Sequence, residues 1–507
     1  MEIRRSLYSI SGSPLSYLFA AFWGVLLGAM IVFLPMKWSL IFLGVMVSIL
    51  IAAKKPEFAL LGILLISSTI FSETVIPTIS VGPLQILVTD LIFISLVIFL
   101  VFRRIYDKQF KLISSPLILP LLTFYLMGVL ATLVAFIRSP GSELTLAAMS
   151  RTPPQYVSMS IPEVRVYTYF LLFWVVINCV RTKNQIKILT NGILTLSFFV
   201  VMVVLAQEFL GTSIKLIPGR VEQMGSGMTG FDYITRITDF SGEVMLFFAL
   251  TLSTALFALE KYTLSRFYKI IIWSLYLVGV IITFSRSIWI GYALSMMIFF
   301  VIIRTQEKRK LFNLLLTIFI VLLLVVVVGG IASQEKINNF YDAISTRSLS
   351  LFNPVTYTSS NETFEWRFFE YQWVWNDINK YPLLGMGLGS EYRPWLPNVD
   401  WSGYDGRRFL HNAHAWILVK TGILGYLAFL WFSISYLVRC LKNYKYIEDD
   451  TLKGILLGCG IAYLGLLIGS VTSPLFMHYY STPLIGTFTG LSESVILFNN
   501  RNKSVKI

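Results

Sequence analysis

A few side chains in this 507-residue chain could do chemistry near neutral pH, and they stand at the edges of long apolar runs. His411 is one of only three histidines, with His414 and His478, and it sits where a polar stretch gives way to an apolar one. Imidazole is the side chain best suited to take up a proton near neutrality. Arg286 is the only charge in the apolar stretch 270–303, where it is flanked by Ser285 and Ser287. Two spans must turn there, which puts Arg286 at a membrane edge. An arginine so placed either snorkels to headgroups or faces a polar cavity, and a guanidinium can grip a phosphate or pyrophosphate through paired hydrogen bonds without a metal. Arg236 stands just ahead of another apolar run, where a salt bridge to Asp239 or a headgroup contact would also account for it. Arg220, Arg367, Arg407 and Arg408 fall in the same class of polar loops, so one surface is cationic and suits an anionic ligand.

Each of these residues has a plainer use. A histidine at the start of a helix most often bonds neighbouring backbone. His414, three residues on, would share a helical face with His411, and such a pair is half a metal site. With no third histidine nearby and no Asp-x-Asp anywhere, neither a metal nor any other cofactor is expected. Gly422 and Gly425 read as close helix packing, and Lys420 as pointing to the polar face of its helix.

The elements that position these residues are membrane spans. The chain is 56% hydrophobic and 13% charged, with a mean hydropathy of +0.72, which excludes an ordinary soluble domain. Apolar runs of spanning length recur about 12–14 times, so the expected fold is all-α and polytopic. The net charge of +14 does not point to nucleic acid, because most of the 41 lysines and arginines sit in alternate short connectors. The positive-inside rule then puts both termini in the cytoplasm and the loops 138–163, 211–240 and 333–410 outside. Four regions follow: N-terminal spans over 1–230, central spans with the two arginines over 231–332, an extracytoplasmic loop over 333–410, and C-terminal spans over 411–507. Within the loop, Ser359-x-x-Glu362 is a capping box for a helix over 361–381, which carries Phe364, Trp366, Phe368, Phe369, Tyr371, Trp373 and Trp375. Such a helix either lies at the headgroup level or packs on the other loops. The intramembrane carboxylates Asp90, Glu208, Glu243 and Glu493 suggest a cavity or a proton path, which keeps open a transporter or flippase of lipid-linked oligosaccharide.

His411-Asn412, nine residues, then Gly422-Ile423-Leu424-Gly425 resembles the signature of the bacterial O-antigen ligase family, which shares a domain with many O-antigen and exopolysaccharide polymerases. Phe284-Ser285-Arg286-Ser287 is similar to that family's Ser-Arg motif. Arg367 followed by Tyr381-Pro382-Leu383-Leu384-Gly385-Met386-Gly387 is similar to its Arg…Pro-Leu-Leu-Gly segment, and Arg236 to its upstream arginine. The resemblance implies an architecture like that of the GT-C glycosyltransferases. It implies transfer of a glycan from an undecaprenyl-diphosphate carrier to an acceptor hydroxyl at the outer face of the cytoplasmic membrane. It carries over His411 as base, with Arg286 and Arg236 on the diphosphate. Asn412, His414, Arg367, Arg407, Arg408 and Ser285 are the expected substrate-binding residues. The acceptor would be another glycan or a lipid A-core-like molecule, and a partner controlling chain length would fit a polymerase.

Overall fold

The computed structural model describes residues 53–68, 84–138, 153–211, 242–259, 266–316, 362–393, 407–478 and 480–506, with shorter pieces that include 79–81, 220–223 and 235–238. The runs expected to span at 15–35 and 38–53, and most of the one at 311–332, lie outside the described residues. The protein is an all-α polytopic membrane protein. Its helices are α1 (Pro56–Ser67), α2 (Val88–Tyr106), α3 (Ile118–Arg138), α4 (Pro153–Phe170), α5 (Leu172–Cys179), α6 (Lys183–Leu210) and α7 (Gly242–Leu259). They continue with α8 (Arg266–Ile282), α9 (Arg286–Ile302), α10 (Glu362–Lys380), α11 (Ala413–Asn443), α12 (Asp450–Gly469) and α13 (Thr482–Lys506). Two small antiparallel hairpins interrupt them: β1 (Ile79–Val81) with β2 (Leu84–Ile86), and β3 (Arg220–Gln223) with β4 (Thr235–Thr238).

Among the described residues, six helical segments are long and apolar enough to cross a membrane: α3, Met159–Cys179 (most of α4 with α5), α6, α7, the α11 segment and α12. Three shorter apolar helices, Pro56–Ser67, Tyr268–Ile282 and Arg286–Ile302, pack among them. Helices α7 and α12 form the centre and are almost wholly buried, whereas α3 and α6 keep lipid-facing sides. Without a hydrophobic drive between helices in lipid, close backbone approach is what makes them associate. At the crossing of α9 and α12 a Cβ on Gly291 would lie 2.5 Å from the Gly465 carbonyl oxygen, so both positions must be glycine for the helices to meet there.

The bundle sorts its charges between its two ends. At one end the basic connectors gather. Lys183 pairs with Asp449 at 2.5 Å, Arg181 donates to the Lys111 carbonyl at 2.9 Å, and Tyr444 donates to the Ile302 carbonyl at 3.1 Å. Burial there, with Arg103 and Arg501 close by, pushes the Arg181 guanidinium down to about 10. The other end holds the starts of α9 and α11.

Two intramembrane carboxylates read from the sequence as a cavity or proton path are instead satisfied locally. Arg165 of α4 takes both oxygens of Asp90 with its Nε at 3.0 Å, and the Tyr169 hydroxyl adds a bond at 2.6 Å. Arg439 of α11 holds Glu493 of α13 through Nε at 2.6 Å and Nη2 at 2.7 Å. A buried charge needs such a partner, and these two arginines are spent on structure.

Candidate active site

The site is built on the first turn of α11. Asn412 is its N-cap, with a side-chain oxygen accepting from the Ala415 amide at 3.0 Å. The Asn412 amide group donates to the Tyr371 hydroxyl of α10 at 2.9 Å. The Ala413 amide donates to the Ser470 carbonyl, just past α12, at 3.0 Å. The chain direction at residue 411 is therefore fixed from three sides. His411 precedes the cap and is not on the helix, so the expected shared face with His414 does not form.

His411 Nδ1 lies 3.0 and 3.1 Å from the two carboxylate oxygens of Glu370, in the middle of α10. The His411 backbone amide donates to the same carboxylate at 3.2 Å. Side-chain exposure is 26% for His411 and 2% for Glu370, so the carboxylate is sealed behind the ring. An ionised carboxylate only accepts, so Nδ1 must carry a proton and Nε2 is left as the basic nitrogen. The ring of Phe409 meets His411 edge-on with centroids 5.1 Å apart. Behind Glu370 lies Tyr392, whose hydroxyl is pushed above its ordinary range by burial and then by the Glu370 charge. Arg393 Nε donates to that hydroxyl at 3.2 Å.

Arg286 is the first residue of α9, after a tight turn from α8. The turn is strained: Phe284 is buried with φ of 50°, a region that costs a bulky residue about 1–3 kcal/mol. It is held by bonds from Thr283 Oγ1 and Trp289 Nε1 to the Val280 carbonyl, at 2.7 and 3.1 Å. Ser285 and Ser287 share a hydroxyl–hydroxyl bond at 3.1 Å, and the Ser285 side chain, at the N-cap, makes no cap bond to the first turn of α9. The guanidinium and the amino end of a helix thus lie together, both favouring an anion. The Ser287 carbonyl oxygen lies 2.9 Å from where a Cβ on Gly469 would stand. The turn carrying Arg286 and the start of α11 therefore rest on the same last turn of α12.

The other expected residues separate. Both His414 nitrogens are used inside the bundle, Nε2 with the Leu467 carbonyl at 3.0 Å and Nδ1 with the Tyr426 hydroxyl at 3.3 Å. Arg407 pairs with Glu391 at 3.1 Å, and Arg408 donates to the Met159 carbonyl at 3.0 Å. The backbone of Arg236 lies in β4 opposite Glu222, and that of Arg367 in α10; their side chains lie outside the described residues. Among the described residues no three His, Cys, Asp or Glu side chains cluster as a metal site.

The glycine part of the motif has a use the sequence reading missed. Gly422 is not a packing residue inside a straight helix: it has φ of 66° and ψ of −173° and breaks α11. The carbonyls freed before the break, Val419 and Lys420, accept from the Met386 and Gly387 amides at 2.9 Å each. The amides after it, Ile423 and Leu424, donate to the Pro382 and Leu383 carbonyls at 2.8 and 3.3 Å. The segment after α10 is thus stitched into the broken helix, which is how irregular backbone is tolerated at membrane depth. Gly385, also at φ of 66°, faces Gly422, and a Cβ on it would lie 2.5 Å from the Gly422 nitrogen. Lys420, fully buried, ties the arrangement to α4 through Glu163 at 3.0 Å and through the Ser390 carbonyl. Glu163 in turn accepts from the Gly389 amide at 2.7 Å. Asp377 of α10 is half-buried nearby, and desolvation raises its carboxyl from 3.8 to about 7 against the opposite pull of Lys380 and Lys420.

Glu370 was the main omission. An acid flanked by Phe369 and Tyr371 in an aromatic helix is a faint signal, and nothing in local spacing joins it to residue 411.

The fold and this site define a polytopic helical membrane protein that presents a carboxylate-held histidine and a helix-terminal arginine at one end of its bundle. Residues 271–430 match the model of the O-antigen ligase family, so this stretch of the chain is similar to that family. The matched stretch contains Arg286, Glu370, His411 and Gly422, and leaves out Arg236. No curated protein matches the chain.

Proposed function

We propose that the protein transfers a glycan from an undecaprenyl-diphosphate-linked donor to an acceptor hydroxyl at the outer face of the cytoplasmic membrane. The observation that carries this reading is the Glu370–His411 pair, set on the same α12 turn as Arg286. His411 Nε2 takes the proton of the acceptor hydroxyl as its oxygen attacks the anomeric carbon. The bond from that carbon to the diphosphate oxygen breaks, and its electron pair leaves with the diphosphate. Arg286 and the amino end of α9 stabilise the departing charge, with Arg236 assisting. The imidazolium that forms is stabilised by Glu370 and returns its proton to water. Attack opposite the leaving group in one displacement inverts the anomeric centre. On this reading the guanidinium groups do the work of a metal, and no cofactor is required. Asn412 holds the first turn of α11, Ser285 lies beside the diphosphate, and Arg367, Arg407, Arg408 and His414 line or brace the approach of the glycans. The acceptor is another lipid-linked glycan in a polymerase, with a chain-length regulator as partner, or a lipid A-core-like molecule in a ligase.

The test is reconstitution in liposomes with a polyprenyl-diphosphate-linked glycan and an acceptor glycan. Joined product with inverted anomeric configuration supports the reading. Movement of the donor across the bilayer without any joined product would replace it with a transporter.

A further inference from the structure

A second feature on the Arg286 helix is not used by the chemistry above. Between α9, α7 and the helical stretch 305–316 lies an open cavity of about 360 Å³ lined by Tyr292, Ala293, Met297, Phe300, Leu311 and Leu315, among others. Among the described lining residues the polar side chains are paired with each other and with Trp273: Thr254 Oγ1 accepts from Trp273 Nε1 at 2.7 Å and meets the Tyr292 hydroxyl at 3.1 Å. Nothing in that wall calls for a polar ligand. Met297, Phe300 and Leu315 are exposed at the cavity rim, so it opens sideways from the bundle. Methionine adapts to an irregular, methyl-branched chain better than a stiff side chain does.

Position says which hydrocarbon belongs there. At 3.6 residues per turn, Ala293, Met297 and Phe300 fall within about 40° of the face that carries Arg286. At 1.5 Å per residue they lie about 10–20 Å below it along α9, inside a hydrocarbon core of about 30 Å. A lipid whose diphosphate is held at Arg286 would lay its tail directly down this face. We infer that the α9 groove binds the isoprenoid tail of the donor and selects for it over ordinary acyl chains; this rests on the diphosphate assignment of Arg286.

The test uses the full-length protein in liposomes and undecaprenyl diphosphate bearing a photoreactive diazirine on its tail. The label is expected on the 292–300 segment. It should be displaced by unlabelled undecaprenyl diphosphate and not by excess phosphatidylethanolamine. Ala293→Phe, at an exposed position, should fill the groove. It should lower that labelling and raise KM for an undecaprenyl-linked donor at least about tenfold, while a dimethylallyl-linked donor, whose single isoprene unit ends before Ala293, is turned over as before. Met297→Trp, on the rim, should act in the same direction. Saturable labelling elsewhere, displacement by phospholipid, or equal effects on both donors would overturn the inference. Saturable labelling elsewhere that Arg286→Lys abolishes would do so while leaving the diphosphate site standing. Absence of any saturable labelling would instead count against the donor itself.

Discussion

His411 and Gly422 belong to one short motif, a few helical turns apart, yet the structure uses its two ends differently. At the histidine end the partners come from side chains: Glu370 holds the ring through Nδ1, and a quarter of the imidazole is exposed. At the glycine end they come from backbone: Gly422 opens α11, and residues 382–387 close the gap with four amide–carbonyl bonds. Lys420 and Glu163, buried between the two, pin the stitched loop to α4. A signature read as one unit thus separates into a part that can exchange a proton and a part that holds the loop bearing Tyr392 and Arg393 behind Glu370. The two parts should fail in different ways.

The largest effect on stability is expected at the glycine end. In Gly422→Ala the new Cβ would lie 2.2 Å from the Leu383 carbonyl oxygen, at a left-handed φ as well. A loss of about 3–5 kcal/mol follows, with activity falling through unfolding. Thermal denaturation in lipid nanodiscs reads this directly, and an unchanged Tm would dissolve the distinction between the two ends. Lys420→Met leaves Glu163 buried without its cation and should cost about 3 kcal/mol, most of which Lys420→Met with Glu163→Leu should restore. At the histidine end, Glu370→Gln keeps the shape but lets either tautomer form. The transfer rate should fall about 100-fold at unchanged Tm, and a fall in Tm without a rate defect would make Glu370 a packing residue.

The smallest effect is a pH dependence at Asp377. Its folded carboxyl is raised from 3.8 to about 7 by burial, so the folded chain favours the protonated acid. Wild-type stability is then highest, as far as this group goes, at the acid edge of that window and declines as pH rises through it. Asp377→Asn removes the titration. Its advantage in Tm over wild type should be small near pH 4 and largest above pH 7, and a difference independent of pH would show that Asp377 does not titrate there.

Much of this molecule is legible in its sequence because lipid demands long apolar runs. The spans at α7 and α12 and the turn at Arg286 follow from hydropathy alone, and α10 falls within the helix expected over 361–381, whose Ser359 cap lies outside the described residues. The histidine and arginine stand out for the same reason, as polar groups at the edges of such runs. What the sequence hides is contact across it. Glu370 meets His411 through tertiary packing of α10 on α11, and no periodicity links them. Gly385 and Gly422 look like two ordinary glycines until a Cβ on Gly385 is seen to meet the Gly422 backbone, and one on Gly422 the backbone of Leu383 and Leu384. Asp90 and Glu493 look like a conduction path until Arg165 and Arg439 are seen beside them.

The central claim is that His411 takes the acceptor proton. The direct measurement is the single-turnover rate of glycan transfer by His411→Ala in proteoliposomes, with donor binding and Tm followed on the same preparation. Loss of a general base costs about 10²–10⁴ in rate. The account predicts a fall in that range with donor affinity and Tm close to wild type, and transfer within a few-fold of wild type would contradict it.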